Sequence, residues 1–297
     1  MCIRDSLYTP RGALVRDALN WSGKIDEAIR LFSDRTDVQF GCHHWPIWGK
    51  ERVISFLKKQ RDLYKFIHDQ TLRLANKGFS KEEIAEQIKL PESLSQEFFN
   101  RDYYGTVHHN SKAVFVRYLG YFDGNPSTLY ERPPVERAIR YVEWMGGPAK
   151  ILEKARESFG AGDYRWTAEV LNHVVMADEK HEEARYLLAD TLEQLGYQSE
   201  SATWRNFFLC GALELREGLP PTRDFVPSSG MAAGIPIDQV FKTMAVRLLP
   251  EQVDGEVIQV GIDLTDDAPY LLSIENCVLN YWREVSLSDA SAILRIS

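Results

Sequence analysis

Two histidines, His43 and His44, stand side by side in the stretch Gly41-Cys42-His43-His44-Trp45-Pro46-Ile47-Trp48-Gly49. Imidazole is the commonest zinc ligand, and loops held on a rigid scaffold are where ligands and catalytic groups concentrate. A catalytic zinc takes about three protein ligands, and the chain carries no HxxxH, HExxH or HxHxDH pattern. Consecutive residues of an extended chain point to opposite sides, so at most one of the pair faces a given metal. A hydrogen-bonded histidine packed beside the two tryptophans is the alternative. Arg11 and Arg16 lie five apart near an expected helix start. Both can turn toward an anion, where a helix N-terminus adds attraction, or they can be two solvated surface arginines. His108-His109-Asn110 can line a pocket or form a polar loop.

These residues need elements to position them. Ala13, Leu14, Ala18, Trp21, Ile25, Ala28, Ile29 and Leu31 predict a helix from Arg11 to Phe32. Val38-Gln39-Phe40 reads as a short buried strand that ends at the histidine loop. A long helix follows from Lys50 to Asn76, with Val53, Leu57, Tyr64, Ile67 and Leu74 on one face. Ser80 and Glu83 make a capping box that opens another helix, closed by Leu90-Pro91. Tyr103 to Asn110 reads as looser chain, Val114 to Phe122 as helix, and Asp123-Gly124-Asn125-Pro126 as a turn. A helix opened by Pro133-Pro134 runs through Trp144 to Gly146-Gly147.

Between Ile151 and Gly196 two apolar stripes recur, and Gly162 and Gly196 lie 34 residues apart, the tetratricopeptide period. A small helical solenoid and an ordinary buried helical hairpin both fit. Residues 219–234, rich in Pro, Gly and Ser, read as a linker. Beyond it the period changes. A helix over Ile237–Leu248 precedes strands at Ile258–Leu264, Tyr270–Ile274, Cys277–Val285 and Ala290–Ile296, expected to form an antiparallel sheet.

With 297 residues the chain has room for two or three domains. Its 44% apolar and 26% charged content is that of a globular protein. A net charge of −8 with no basic face argues against a nucleic-acid partner. No apolar run approaches the ~18 residues of a transmembrane helix. The four cysteines form no CxxC pair, which argues against a disulfide framework. Residues 1–6, Met-Cys-Ile-Arg-Asp-Ser, have no apolar core and read as a leader foreign to the fold.

Several stretches together resemble the zinc-dependent alkyl sulfatases. They are Arg11-Gly12-Ala13-Leu14-Val15-Arg16-Asp17, His43-His44-Trp45-Pro46-Ile47-Trp48-Gly49, Arg61-Asp62-Leu63-Tyr64 with His68-Asp69-Gln70-Thr71-Leu72-Arg73, and Tyr103-Tyr104-Gly105. Tyr118-Leu119-Gly120-Tyr121-Phe122-Asp123-Gly124-Asn125-Pro126 and Ala168-Glu169-Val170-Leu171-Asn172-His173-Val174-Val175 complete the set. The resemblance runs from Leu7 nearly to the end. It implies a mainly α chain with α+β ends: residues 7–76 as the C-terminal piece of a metallo-β-lactamase-like αββα domain, and 77–218 as a helical, tetratricopeptide-like dimerisation domain. Residues 235–297 would be part of a sterol-carrier-protein-like (SCP2-like) α/β domain.

By the same resemblance His43 would be a ligand in a site for two zinc ions. Arg11 and Arg16, with Leu7, Tyr8 and Thr9, would hold the sulfate. Pro10 departs from the apolar non-proline residue expected there. The implied reaction is hydrolysis of alkyl sulfate esters, such as dodecyl sulfate, by zinc-activated water. The family's HxHxDH motif and metal-binding glutamates would lie upstream of Leu7, so the 297-residue chain is expected to be inactive alone. A homodimer through the helical domain is implied. Alkyl-chain preference, the atom attacked and location (periplasmic, secreted or cytoplasmic) stay open, as do the roles of His44, His108 and His109. The alternative is a non-catalytic helical interaction module with a lipid-binding C-terminal domain.

Overall fold

The computed structural model describes residues 6–296 except 11, 13, 42, 220, 222–229, 231–233, 266 and 289. Arg11 and most of the expected linker therefore lie outside the described residues. The chain divides into two compact units, residues 1–220 and 221–297. Among the described residues the first is helical apart from one hairpin, and the second carries a small sheet.

Helix α1 spans Ala18–Phe32, shorter than its apolar pattern predicts. The reason is Asp17, which caps it: the carboxylate accepts from Asn20 N at 2.9 Å. Leu14, counted in the predicted stripe, is 93% exposed. Strand β1 (Val38–Gly41) pairs antiparallel with β2 (His44–Trp48). The expected histidine loop is thus the turn and second strand of a hairpin. The register slips between Gln39 and Gly41, so Trp45 and Pro46 lie opposite Phe40 alone. Such a bulge accommodates a proline, which has no N–H to give a ladder. Nor is β1 a buried strand, because Phe40 is exposed.

Gly49, at φ 94°, turns β2 into α2 (Lys50–Ala75). Leu7, Ala18, Ile25, Ile47, Val53, Phe56, Ile67 and Val114 are buried in one core spanning α1, the hairpin, α2 and the helix that carries Val114. Each of these side chains larger than alanine contributes ~1.5–3 kcal/mol on burial. Helix α3 (Lys81–Gln87) has the capping box: Ser80 accepts from Glu83 N and the Glu83 carboxylate accepts from Ser80 N. A single turn, α4 (Glu92–Ser95), follows. Helix α5 spans Val107–Leu119, seven residues earlier at its start than the apolar pattern indicates. Thr106 caps it by accepting from His109 N at 2.9 Å, which draws His108, His109 and Asn110 into the first turn. Gly120, at φ 84°, ends it before Phe122.

Five longer helices follow: α6 (Pro134–Trp144), α7 (Pro148–Gly160), α8 (Tyr164–Ala177), α9 (Glu182–Gln198) and α10 (Ala202–Glu217). Their shared core includes Ile151, Leu152, Val170, Leu171, Val174, Ala184 and Leu188. Helices α9 and α10 approach closely at Gly196, where a Cβ would lie 2.8 Å from Leu209 Cδ2.

In the second unit, α11 (Ile237–Ala245) places Phe241 in a core with Ile262, Tyr270 and Leu272 of the sheet. Strands β3 (Ile258–Leu264), β4 (Tyr270–Glu275), β5 (Val278–Arg283) and β6 (Ala292–Ile296) lie in the order β5-β4-β3-β6. Asn276 and Cys277, at φ 52° and 60°, form the two-residue turn between β4 and β5. The sheet is not wholly antiparallel. The chain leaves β5 at one edge and enters β6 at the other, where β6 runs parallel to β3 with Val260 opposite Ala292.

Candidate functional site

The segment Tyr103–Asn110 gathers most of the residues singled out from the sequence. It enters α5 under a tight clasp from α10. Ser201 Oγ donates to the Tyr104 carbonyl at 2.7 Å, Thr203 Oγ1 donates to the same oxygen at 3.2 Å, and Ala202 N donates to the Tyr103 carbonyl at 2.9 Å. Ser201 is 2% exposed and also caps α10. On the other side of the segment runs the chain at residues 6–9. Gly105 permits that crossing: a Cβ there would lie 2.9 Å from Ser6 Cα. Leu7 N donates to Asn110 Oδ1 at 2.8 Å, and the Tyr8 ring stacks on His109 at 5.4 Å.

His43 is half-buried, and its ring lies on that of Tyr104 at 3.8 Å between centroids and 18° between planes. His44 faces a different set: Trp45, Phe56, Phe98 and Phe99, with Nδ1 3.5 Å from Tyr103 Oη. The two histidines thus have separate environments, as expected of neighbours in an extended chain. Leu7 is fully buried, its carbonyl accepts from Arg16 N at 2.8 Å, and its side chain belongs to the core. Thr9 closes a turn by accepting from Gly12 N at 3.0 Å. The exposed Arg16 guanidinium donates to the Ser6 carbonyl and lies 5.9 Å from the centre of the Trp21 ring. That ring in turn stacks on Tyr64 at 4.8 Å. Leu7, Tyr8 and Arg16 therefore form one cluster, and Tyr104, next to Gly105 where that chain crosses, stacks on His43. The places of Tyr104 and Asn110 in this cluster are not legible in the sequence, because their contacts are with residues far away along the chain.

His108 faces away from this cluster. Its Nε2 lies 3.3 Å from Glu86 Oε1, and Arg165 donates to the same carboxylate oxygen at 2.8 Å. Burial holds the His108 and His109 imidazoles below the usual histidine range, with the Lys112 charge acting in the same sense. Arg165 holds the Glu86 carboxyl below its usual range. Trp204, Phe208, Leu195, Arg165, Glu86 and His108 surround a cavity of about 460 Å³. Among the described residues no three His, Cys, Asp or Glu side chains are grouped to hold a metal ion.

Two family models match the chain: alkyl sulfatase dimerisation over residues 80–218 and alkyl sulfatase C-terminal over residues 227–297. A linear primary-alkylsulfatase of Pseudomonas sp. is 46% identical over 293 residues, which are 98% of this chain and 43% of that protein. The alkyl/aryl-sulfatase BDS1 of Saccharomyces cerevisiae is 45% identical over 298 residues, covering 98% of this chain and 45% of its own length. The solved structure of the stereoselective inverting sec-alkylsulfatase Pisa1 from Pseudomonas sp. superposes with a TM-score of 0.95 at 40% identity. That match covers 99% of this chain and 46% of Pisa1. The chain spans less than half the length of these relatives.

Proposed function

The chain belongs to the alkyl sulfatase family, and from that premise we propose that it forms part of a hydrolase of alkyl sulfate esters. The observation that supports this most strongly is the 46% identity to a linear primary-alkylsulfatase across 98% of the chain. In this reading Arg16 faces the sulfate, where a guanidinium offsets the oxyanion charge with paired N–H donors. Tyr8 and Thr9 supply neighbouring polar groups, and Arg11 is assigned with them from the resemblance alone. Leu7 acts differently from its neighbours: its side chain fills the core and its backbone ties residue 110 to residue 16. Leu7 therefore anchors the pocket wall and does not touch the ester.

His43 is proposed as one ligand of a zinc pair, on the resemblance alone, since the described residues do not compose such a site. Residues 7–76 are read as a piece of a metallo-β-lactamase-like domain, 77–218 as a tetratricopeptide-like helical domain and 235–297 as SCP2-like. The test is sulfate release from dodecyl sulfate by the complete open reading frame that carries these residues. We expect release, and its loss on Arg16→Ala or His43→Ala. Absence of release from primary, secondary and aryl sulfates alike, with lipid binding retained, would overturn the reading in favour of a non-catalytic module.

The proposed assembly is a homodimer. Residues 80–218 match the dimerisation model, and Val135, Ile139 and Trp144 of α6 are exposed together with Leu129 and Tyr130 before it. Exposed apolar groups of this number on one helix and its approach mark an interaction surface. Light scattering should give a dimer for the 297-residue chain and a monomer for Ile139→Asp/Trp144→Asp. A wild-type monomer at tens of micromolar would refute the assembly.

A further inference from the structure

From the contacts around Tyr104 we infer that this residue is a positioning residue for His43, and that Ser201 of α10 holds Tyr104 in place. The inference rests on the reading of His43 as a functional residue. A histidine has two soft side-chain torsions, and its ring is oriented by what packs on it and by what bonds its nitrogens. Here the packing partner is a phenol ring at 3.8 Å, inclined by 18°. Such a stack sets the plane of the imidazole and leaves its edge, where both nitrogens lie, to the surroundings.

Tyr104 itself lies in irregular chain between Arg101 and the cap of α5 at Thr106, with no ladder to fix it. Its main chain is fixed from α10, 97 residues away: two hydroxyls donate to its carbonyl, and an amide donates to the carbonyl before it. Of these donors Ser201 is the most buried. Its hydroxyl also accepts from Trp204 N, so the helix end and the clasp share one oxygen. Immediately beyond Tyr104, Gly105 is pressed against the Ser6 backbone. The ring is thus held in a segment gripped on both sides, and its stack carries that hold to the histidine.

The direct measurement is the NMR position of the His43 ring protons in the 297-residue chain. Over a stacked phenol ring they are shifted from the values of an unstacked histidine. Tyr104→Ala should return them toward those values, Tyr104→Phe should keep the shift, and Ser201→Ala should lose part of it, with Ser201→Thr restoring it. Circular dichroism that matches the wild type accompanies each comparison, and Ser201→Ala carries the test should Tyr104→Ala not fold. His43 signals unmoved by Tyr104→Ala, or unmoved by Ser201→Ala, would overturn the corresponding half of the inference. If Tyr104→Ala moves the signals while His43→Ala leaves sulfate release intact, the clasp stands and the functional reading of His43 falls.

Discussion

Gly105→Ala is the sharpest perturbation of the cluster around residues 6–9. The backbone at Gly105 accepts an alanine without conformational strain, since its φ is not in the left-handed region. The cost is contact alone. The new Cβ would stand 2.9 Å from Ser6 Cα, 3.0 Å from Ser6 Cβ and 3.3 Å from Ser6 N, against the 3.4 Å where ordinary contact begins. The partner is main chain and cannot rotate away, so residues 6–8 must retreat by about half an ångström. Overpacking of this kind costs ~1–3 kcal/mol. Full detachment sets a similar ceiling, because it loses the burial of Leu7, ~1.5–3 kcal/mol, and leaves the buried Asn110 Oδ1 without its donor. A loss of ~2 kcal/mol at a urea slope of about 2 kcal/mol/M lowers the unfolding midpoint by about 1 M. Urea titration followed by near-ultraviolet circular dichroism reads it. Gly23→Ala is the control of opposite sign: it lies inside α1 with nothing within 4 Å of the new methyl, and should gain ~0.5–1 kcal/mol. A Gly105→Ala midpoint equal to that of wild type, with Gly23→Ala displaced upward, would refute the claim that residue 105 is packed against the chain at Ser6.

Asn110→Ala removes the acceptor of the buried Leu7 N–H and should cost ~1–3 kcal/mol in the same titration. Ser80→Ala removes the N-cap of α3, with an expected loss of ~1 kcal/mol seen as a lower thermal midpoint. Acidification should destabilise the chain well above the carboxylate range. His108, His109 and His173 all have folded pKa values lowered by burial from 6.5. The unfolded chain then binds more protons, so stability is complete above about pH 6.5 and falls as pH drops through the lowered folded values. Urea midpoints at pH 7.5 and 5.5 should differ in that direction, and His109→Gln should reduce the difference.

Local chemistry made much of the fold legible. The Ser80/Glu83 capping box and the α2 stripe are present as read, because both depend on neighbours within one or two helical turns. Helix starts failed where a cap outweighed an apolar pattern. Asp17 begins α1 after Leu14, and Thr106 begins α5 ahead of Val114. The hairpin was hidden by Pro46, whose presence argues against a strand unless a bulge excuses it. Pairing direction was beyond reach for β6, since alternation in a strand carries no sign of whether its neighbour runs parallel. The candidate site divides in the same way. His43 and Arg16 are visible as residue types. Tyr104 and Asn110 acquire their place from contacts with Ser201, Thr203, His43 and Leu7, at separations that no local pattern spans.

Those separations bear on biosynthesis. Translation proceeds at roughly 5–20 residues per second, so the 97 residues between Tyr104 and Ser201 take on the order of 5–20 s to emerge. Helices α2 and α5 can pair during that interval, because helix formation and chain collapse need only microseconds. The Tyr104 clasp cannot close until the start of α10 leaves the ribosome. A nascent chain interrupted before Ser201 would therefore present most of its helices and the His43 hairpin, but without the clasp. Closure of that contact marks the moment at which the start of α10 has emerged.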